Sequence, residues 1–345
     1  MSVNVFKDNK LHQIAGNSNG GINPDEVVTS VNGKTGDVEL SAEDVGALPE
    51  DGKAKSASAA DSAVKATNDK NGNDITKTYG LLSDTQILLQ QQQGIYKGRD
   101  LTVVFADEIK NYSNEWAWIK ARIKANNFNG IYICDYIPLT VDGETHQMQV
   151  AGIDTYYRTT DQGLGHHIDF ISRDCYSQTV QWNTTNNNNG NTTSEYPYMV
   201  SNLKTFLGTL YEKLPQAVKN VITEKRTLLE KRYSASGALT DSTGLGWDNM
   251  GKLWVPTEYE VFDSVVWGTP RWSAGQTVQY PLFANSYKNR IKGSGSDGGR
   301  CNWWLASVRS GGSAAACHVS DYGGAGGYDT SNASRAPLCF RITAD

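Results

Sequence analysis

The chain has 345 residues, enough for two or three domains, and its formal net charge is −5 from 32 basic and 37 acidic residues. No basic stripe runs along it, which argues against a nucleic-acid partner, and no apolar run reaches the roughly 18 to 20 residues that span a bilayer. Residues 1–15 lack the apolar core of a secretory signal, so we expect synthesis and folding in a cytoplasm.

Cysteine and histidine are sparse and poorly spaced for covalent or metal cross-links. The five cysteines are an odd number in a large chain, and no two have CxxC spacing, which argues against a disulfide framework. His166 and His167 form the only close histidine pair, and adjacent residues on a strand point to opposite faces. The sequence therefore predicts no metal site and no cofactor.

Aromatic composition divides the chain near residue 94. Residues 1–94 contain no Trp, one Tyr (Tyr79) and one Phe (Phe6), whereas residues 95–345 hold all nine Trp and sixteen of the seventeen Tyr. A compact core needs such side chains, so we expect it only in the second part.

Short motifs in the first part predict an extended, oligomeric segment. A tight hairpin is expected over 31–40 around Asn-Gly, and a capping box over 41–44. Residues 53–68 are small and polar, as in a thin shaft, and residues 81–93 have a Leu/Ile-rich face that suits a bundle of identical chains. Because none of these pieces buries enough surface alone, we expect a homotrimer.

The second part is predicted to mix helices and strands. An amphipathic helix is expected over 104–127, and two more over 199–214 and 215–232. Strands are expected over 130–138, 146–157, 167–172 and 253–255, with an exposed polar loop over 183–197 and a capping box over 257–260.

The last forty-one residues, 305–345, contain no Lys, Glu, Gln, Met or Trp. These types fill sixty of the preceding 304 positions, so about eight would be expected here. None of the five is encoded by a codon that ends in a pyrimidine. Their absence is therefore the pattern expected if the adenines of AAC or AAT codons had been randomised, because such codons keep their final pyrimidine. The flanking residues belong to the fold, so the informative stretch, called here the restricted segment, is 306–334.

The restricted segment has the composition of a recognition surface. Tyr supplies broad contact at low entropy cost, and Ser, Gly and Asn adapt around it. A chance Gly/Ser/Ala-rich surface loop is the alternative, but the position between two core-forming elements favours a ligand face. The predicted ligand-binding residues are Arg309, Ser310, Ser313, His318, Ser320, Asp321, Tyr322, Tyr328, Asp329 and Asn332.

Two series of motifs resemble known families. SVNGKTGDVELSAEDVGALP followed by SAVKATNDKNGNDITKTY, over roughly residues 28–80, resembles the connector and shaft repeats of bacteriophage tail-fibre proteins. GKLWVPTEYEVFDSVVWG, QYPLFANSYKNRIKG, RCNWWLASV and PLCFRI, in this order, resemble the C-type-lectin-like domains of phage tail fibres and of variable proteins from diversity-generating retroelements. This second resemblance covers roughly residues 100–345.

The resemblance implies an α+β chain with a C-terminal lectin-like domain (95–345) behind a virion-attachment and trimeric shaft segment (1–94). Trp303 and Trp304 match the strand that anchors the family's core, and Pro337–Ile342 matches the closing strand. Related chains often carry an Arg where this one has Ala306, so any role of that Arg is absent here. The implied function is host adhesion by a phage tail fibre, with a protein or glycan receptor and other tail proteins as partners, and with the virion as location.

Alternatives remain open from the sequence. The lectin-like fold is shared by formylglycine-generating enzymes, and Cys301, Cys317 and Cys339 lie in the relevant third of the chain. A glycan depolymerase would need a carboxylate pair, for which the candidates are Asp154, Asp169 and Asp174. A non-diversified surface adhesin or structural tail protein is the remaining alternative. No Glu-Pro-Asn or Gln-Pro-Asp triplet supports calcium-dependent sugar binding, and we expect no enzymatic activity.

Overall fold

The computed structural model describes residues 3–7, 10–14, 39, 82–189, 194–232, 244–270, 278–295 and 298–345. Within these ranges the chain mixes helices and strands, in agreement with the predicted α+β class. Spatial contacts divide the chain into two compact units, Met1–Leu81 and Leu82–Asp345. Among the described helices, none has both the length and the apolar character needed to cross a membrane.

In the first unit the described residues form one antiparallel hairpin. Strand β1 (Val3–Lys7) pairs with strand β2 (Lys10–Ile14), and Phe6 lies opposite Leu11. The predicted turn, capping box and shaft over 31–44 and 53–68 lie outside the described residues, apart from Glu39.

The second unit contains most of the described elements. Its helices are α1 (Leu82–Gln92), α2 (Leu101–Val104), α3 (Ala106–Ile109), α4 (Glu115–Lys124), α5 (Asn202–Glu212), α6 (Gln216–Lys219), α7 (Glu258–Phe262) and α8 (Pro281–Asn285), with 3₁₀ turns at Pro197–Val200 and Tyr287–Arg290. Its strands are β3 (Tyr136–Val141), β4 (Glu144–Ile153), β5 (His167–Cys175), β6 (Val180–Gln181), β7 (Ile222–Thr223), β8 (Arg226–Glu230), β9 (Leu245–Asn249), β10 (Lys292–Gly293), β11 (Arg300–Cys301), β12 (Trp303–Val308), β13 (Ala315–Val319), β14 (Ala325–Asp329), β15 (Ala333–Ser334) and β16 (Pro337–Thr343).

Helix α1 is the segment predicted to form a bundle of identical chains. The Gln91 side-chain amide donates to the Ile133 carbonyl at 2.8 Å, and Ile87 is buried. Leu88 and Leu89 are 55% and 51% exposed. Spatial contacts thus place this helix with the second unit, although composition changes just after it.

The single helix predicted over 104–127 is wrong, because the chain forms two separate short helices there, α3 and α4, after α2 ends at Val104. The Asn114 carboxamide oxygen accepts from the backbone N–H groups of Trp116 and Ala117, at 3.0 and 2.9 Å, and so starts α4 afresh. An Asn cap satisfies N–H groups at a helix start and competes with continuous helix at that position.

A five-stranded antiparallel sheet forms the centre of the second unit. The strand order is β3-β4-β5-β16-β7, so the strand nearest the end of the chain, β16, lies inside the sheet between β5 and β7. Helix α4 packs on this sheet through Trp116, whose ring contacts Phe170 and Phe340 edge-on at 6.0 and 5.5 Å between centroids. The predicted strands over 146–157 and 167–172 are confirmed with shifted bounds. Of the strand predicted over 130–138, residues 130–135 form no strand, and β3 begins at Tyr136.

The region from 215 to 260 shows one prediction confirmed and two wrong. Beyond α6 the predicted helix over 215–232 gives way to β7 and β8, because Ile222 and Thr223 pair with β16 and β-branched residues favour strands. Residues 253–255 are buried but form no strand. The capping box at Thr257 and Glu260 is confirmed at the start of α7.

Four oppositely charged side chains are buried beside the central sheet. The Arg341 guanidinium donates to both carboxylate oxygens of Asp169 at 2.7 Å, and the Lys225 ammonium donates to Glu260 at 2.5 Å. All four side chains are at most 1% exposed. Tyr156 donates to Glu260 at 2.5 Å, so each buried charge is paired and hydrogen-bonded, as burial requires.

Candidate ligand-binding face

The restricted segment forms a small antiparallel sheet of its own with the residues just before it. Strands β12, β13 and β14 lie side by side, with Trp304 opposite His318 and His318 opposite Gly326. All residues of β12 and β13 are buried, whereas β14 lies at the free edge of this sheet and is partly exposed. The solvent-accessible side chains of this sheet therefore lie mainly on β14 and on the connecting turns.

Two tryptophans before the segment anchor the sheet, as expected for scaffold residues. Trp303 and Trp304 are fully buried. Their indole N–H groups donate to the backbone carbonyls of Arg290 and Val180, each at 2.8 Å. A third indole, that of Trp182, donates to the Leu305 carbonyl at 3.0 Å. Rigid aromatic side chains thus hold β12 from outside the restricted segment.

The Asn-rich loop before α5 holds the turn between β12 and β13. Asn188 is fully buried, and its carboxamide N–H₂ donates to the carbonyls of Gly312 and Ala315 at 2.7 and 2.5 Å. Its backbone N–H donates to the Ser313 carbonyl at 2.8 Å. The exposed polar loop predicted over 183–197 is therefore wrong at Asn188, which sequence composition alone could not distinguish from its exposed neighbours.

The same loop also holds the far end of the segment, after β14. Thr330 is fully buried, and its hydroxyl donates to the Thr185 carbonyl at 2.8 Å. The backbone N–H of Asn183 donates to the Thr330 carbonyl at 2.9 Å. The Asn186 carboxamide accepts from the backbone and hydroxyl of Ser331. Both ends of the β13–β14 hairpin are thus held by one loop.

Arg309 lies beside a surface tryptophan that sequence reasoning missed. Its guanidinium carbon lies 4.8 Å from the ring centroid of Trp267, a cation–π distance. Trp267 is 37% exposed, and its indole N–H donates to the Ala325 carbonyl on β14 at 3.3 Å. Only its position in a Gly/Pro-containing loop, VWGTPRW, could have marked it as a surface residue.

His318 supports the face from beneath, because it is only 8% exposed. Its ring packs against Trp304 and Tyr328, at 6.3 and 5.3 Å between centroids. Burial lowers the pKa of His318, so the neutral imidazole is favoured. A Cβ on Gly326 would lie 2.4 Å from the His318 ring, so the glycine makes room for the histidine.

Tyr322 is the most exposed aromatic of the restricted segment, at 68%. The Arg300 guanidinium lies over its ring at 4.6 Å, and the neighbouring turn is closed by the Ser320 carbonyl, which accepts from Gly323 at 2.8 Å. Gly323 has φ of +81°, and a Cβ placed on it would lie 3.1 Å from Ile291 Cγ1 and 3.5 Å from the Tyr287 carbonyl oxygen, so the turn lies against residues 287–291. Tyr287 in that segment is 61% exposed, which extends the aromatic surface beyond the predicted residues.

The remaining predicted residues occupy the turns around β14. Ser313 and Asp329 are exposed, whereas Ser310, Asp321 and Asn332 are partly buried. The Asp321 backbone N–H donates to the Asn302 side chain at 2.9 Å, and the Ser310 backbone N–H donates to the Trp267 carbonyl at 2.7 Å. Most of the predicted side chains thus lie around one edge strand, β14, and hydrogen bonds hold their backbones in place.

The groups considered for catalysis have structural partners. Burial raises the pKa of the Cys317 thiol well above its ordinary value, so it stays protonated. Asp154 accepts from the His167 backbone at 2.8 Å, Asp169 pairs with Arg341, and Asp174 accepts from the Gly293 backbone at 2.7 Å. Across the described ranges, no group of three His, Cys, Asp or Glu side chains could hold a metal ion.

Comparison with known proteins gives one match. The model of a domain of unknown function (DUF6273) matches residues 170–341. Both ends of the match lie in the central sheet, where Phe170 pairs with Phe340, and the restricted segment lies wholly inside it. No curated protein and no solved structure matches the chain.

Proposed function

We propose that this chain is a bacteriophage tail-fibre receptor-binding protein with a C-type-lectin-like domain over 95–345. Residues 1–94 attach it to the virion and form a trimeric shaft. The restricted segment binds the bacterial host surface by shape and hydrogen bonding. Weak single sites gain strength through avidity across a trimer and across several fibres.

The observation that carries the proposal is the way the restricted segment is held. Its backbone carbonyls accept hydrogen bonds from Asn188, just before β13, and from Asn183, just after β14, at the open end of the β13–β14 hairpin. Arg232, almost fully buried, donates to the Arg309 carbonyl at 2.6 Å. Because these contacts use backbone atoms of the segment, its side chains can change without loss of the anchoring contacts.

Burial divides the segment into an inner and an outer set. The buried positions on β13 carry the small groups of Ala315, Ala316 and Cys317 and the larger ring of His318. The outer positions carry the large polar and aromatic groups, among them Arg309 and Tyr322. Tyr, Trp and Arg are the residue types that dominate binding energy at protein interfaces. This distribution suits a ligand face on a fixed scaffold.

Helix α1 supports the trimeric part of the proposal. Leu88 and Leu89 expose about half of their surface on one short helix at the start of the second unit. Apolar side chains on a helix are usually covered, and identical helices from other copies of the chain would cover these.

The proposal is tested by cell binding with full-length, fluorescently labelled protein on a panel of bacterial strains. On a strain that binds, we expect Tyr322→Ala to weaken binding roughly tenfold, because an exposed aromatic contact is lost. Tyr112→Ala is the matched control, since Tyr112 is 40% exposed and lies outside the restricted segment. Equal binding by Tyr322→Ala, Arg309→Ala and wild type would show that this face is not the receptor site.

Diversification is tested separately from adhesion. Gene sequences from sibling isolates should differ mainly in codons 306–334, at positions where the template copy of the gene carries an adenine. That template, a near-copy of the stretch, should lie beside a reverse-transcriptase gene. Substitutions spread evenly over 95–345 would instead favour an adhesin of the same fold without diversification.

A further inference from the structure

A cavity outside the restricted segment has the charge of an anion-binding site. It measures about 270 Å³, near the lower bound of about 300 Å³ for small-molecule pockets. Three cationic side chains line it, those of Lys97, Arg173 and Lys288, and none of its described lining residues is acidic. All three cations are exposed to solvent.

Within the described part of the chain, none of these three cations forms a salt bridge with a carboxylate, whereas Arg99 does. Two carboxylates follow lining residues directly in the chain, Asp135 after Cys134 and Asp174 after Arg173. Asp135 accepts from the Arg99 guanidinium at 2.9 Å and from the Tyr96 hydroxyl, and Asp174 accepts from the Gly293 backbone. Asp135 is thus neutralised by Arg99, and the three cations of the lining outnumber the charge of Asp174, which favours an anion.

The rest of the lining suits a hydroxylated ligand body. Ser286, Gln149 and Asn289 offer a hydroxyl and two carboxamides, and Tyr96 and Ile291 offer apolar surface. An adjoining depression of about 490 Å³ shares Ile95, Tyr96 and Lys97 with the cavity and has room for a longer chain. Polar groups beside an apolar wall are the usual composition of a small-ligand site.

We propose that this cavity binds an anionic saccharide unit, a sugar that carries a phosphate or a carboxylate. Ile291 lies between the cavity and the proposed ligand face, because it lines the cavity and its Cγ1 would lie 3.1 Å from a Cβ placed on Gly323 in the Tyr322 turn. The site would thus place a charged glycan contact next to the restricted segment but outside it. The inference rests on the cavity and goes beyond the proposed function.

The test is isothermal titration of the full chain with glucose 1-phosphate and with glucuronate, and with glucose as the neutral control. We expect one or both anionic sugars to bind at least about tenfold more tightly than glucose, because only they satisfy the three cations. Lys288→Gln and Arg173→Gln should each weaken that binding about tenfold, the usual effect of losing a charged hydrogen bond. Higher salt should weaken it further, because the cations are exposed.

Lys110→Gln is the matched control, because Lys110 is exposed and lines neither depression. The proposal would be overturned if glucose bound as tightly as the anionic sugars. It would also be overturned if Lys288→Gln and Arg173→Gln bound the anionic sugars as tightly as Lys110→Gln does. Inorganic phosphate binding as tightly as glucose 1-phosphate would overturn its saccharide part. Tyr322→Ala should leave titration with the anionic sugars unchanged, so failure of this site and failure of the receptor face are separable.

Discussion

At the scale of single residues, the turn between β12 and β13 in the proposed ligand face depends on a buried carboxamide outside the restricted segment. Asn188 is fully buried and donates to two carbonyls of the turn between β12 and β13. A side chain that satisfies buried backbone groups cannot be removed cheaply, because the carbonyls it leaves lose their partner in a site closed to water.

We therefore expect Asn188→Ala to lower the free energy of unfolding by about 2 to 3 kcal/mol. Urea denaturation followed by tryptophan fluorescence measures this effect, since all nine tryptophans lie within 95–345. Asn186→Ala is the matched control, because Asn186 is exposed and bonds only at the surface, to Ser331. A loss for Asn188→Ala no larger than for Asn186→Ala would contradict the anchoring role.

At the scale of elements, the hairpin β13–β14 is a packed unit in which neighbouring positions constrain each other. The His318 ring occupies the space that a side chain at 326 would need, and it is held between Trp304 and Tyr328. If the segment varies between isolates, these two positions cannot vary independently, since a bulky residue at one excludes a bulky residue at the other.

Gly326→Ala is expected to cost about 1 to 3 kcal/mol by overpacking, and clearly less in a His318→Ala background. The double-mutant cycle is measured by the same urea denaturation at pH 7. Gly324→Ala serves as control, because its Cβ would meet only the Ser320 hydroxyl, at 3.4 Å. Additive effects of the substitutions at 318 and 326 would show that the two positions are independent.

The two wrong helix predictions have different physical causes. The helical spacing over 104–127 and 215–232 is genuine, but Asn114 restarts one helix, and strand pairing with β16 captures residues after α6. The first is a local capping effect that outweighs periodicity. The second is a tertiary effect, since no local signal shows that Ile222 will lie beside Ile342.

At the scale of the whole molecule, the buried charges join distant parts of the chain. Asp169 on β5 pairs with Arg341 on β16, and Glu260 on α7 pairs with Lys225 just before β8. Burial alone would raise the pKa of Asp169 and of Glu260. Attraction to Arg341 and to Lys225 outweighs it, so both carboxyl groups have lowered pKa values.

Carboxyl groups with lowered pKa values make the free energy of unfolding depend on pH. A lowered pKa in the folded state adds stability that is present above the unfolded pKa of about 4 and is lost as pH falls through the folded pKa. We expect urea midpoints to decline moderately below about pH 6.5, because burial lowers the pKa values of His146, His167 and His318 and so opposes their protonation. The midpoints should then fall steeply below about pH 4.

The variant Asp169→Asn should lose about 3 to 5 kcal/mol at pH 7, because it leaves the Arg341 charge buried without its partner. Below about pH 4, the free energy of unfolding of Asp169→Asn should fall less steeply than that of the wild type. Asp161→Asn is the control, since the Asp161–Arg226 pair is partly exposed and should contribute less than about 1 kcal/mol. An Asp169→Asn loss as small as this would contradict the role of the buried pair.

By itself, the sequence determined the mixed fold class, the compositional change near residue 94, the capping box at Thr257 and the boundaries of the restricted segment. These are local properties, set by residue types and their spacing. Only the tertiary structure decided that His318 lies beneath the face and that Trp267 lies beside Arg309. Only the tertiary structure likewise decided that Asn188 holds the turn between β12 and β13 and that three cations line one cavity. These relations join residues far apart in the chain, and packing, which no local pattern encodes, brings them together.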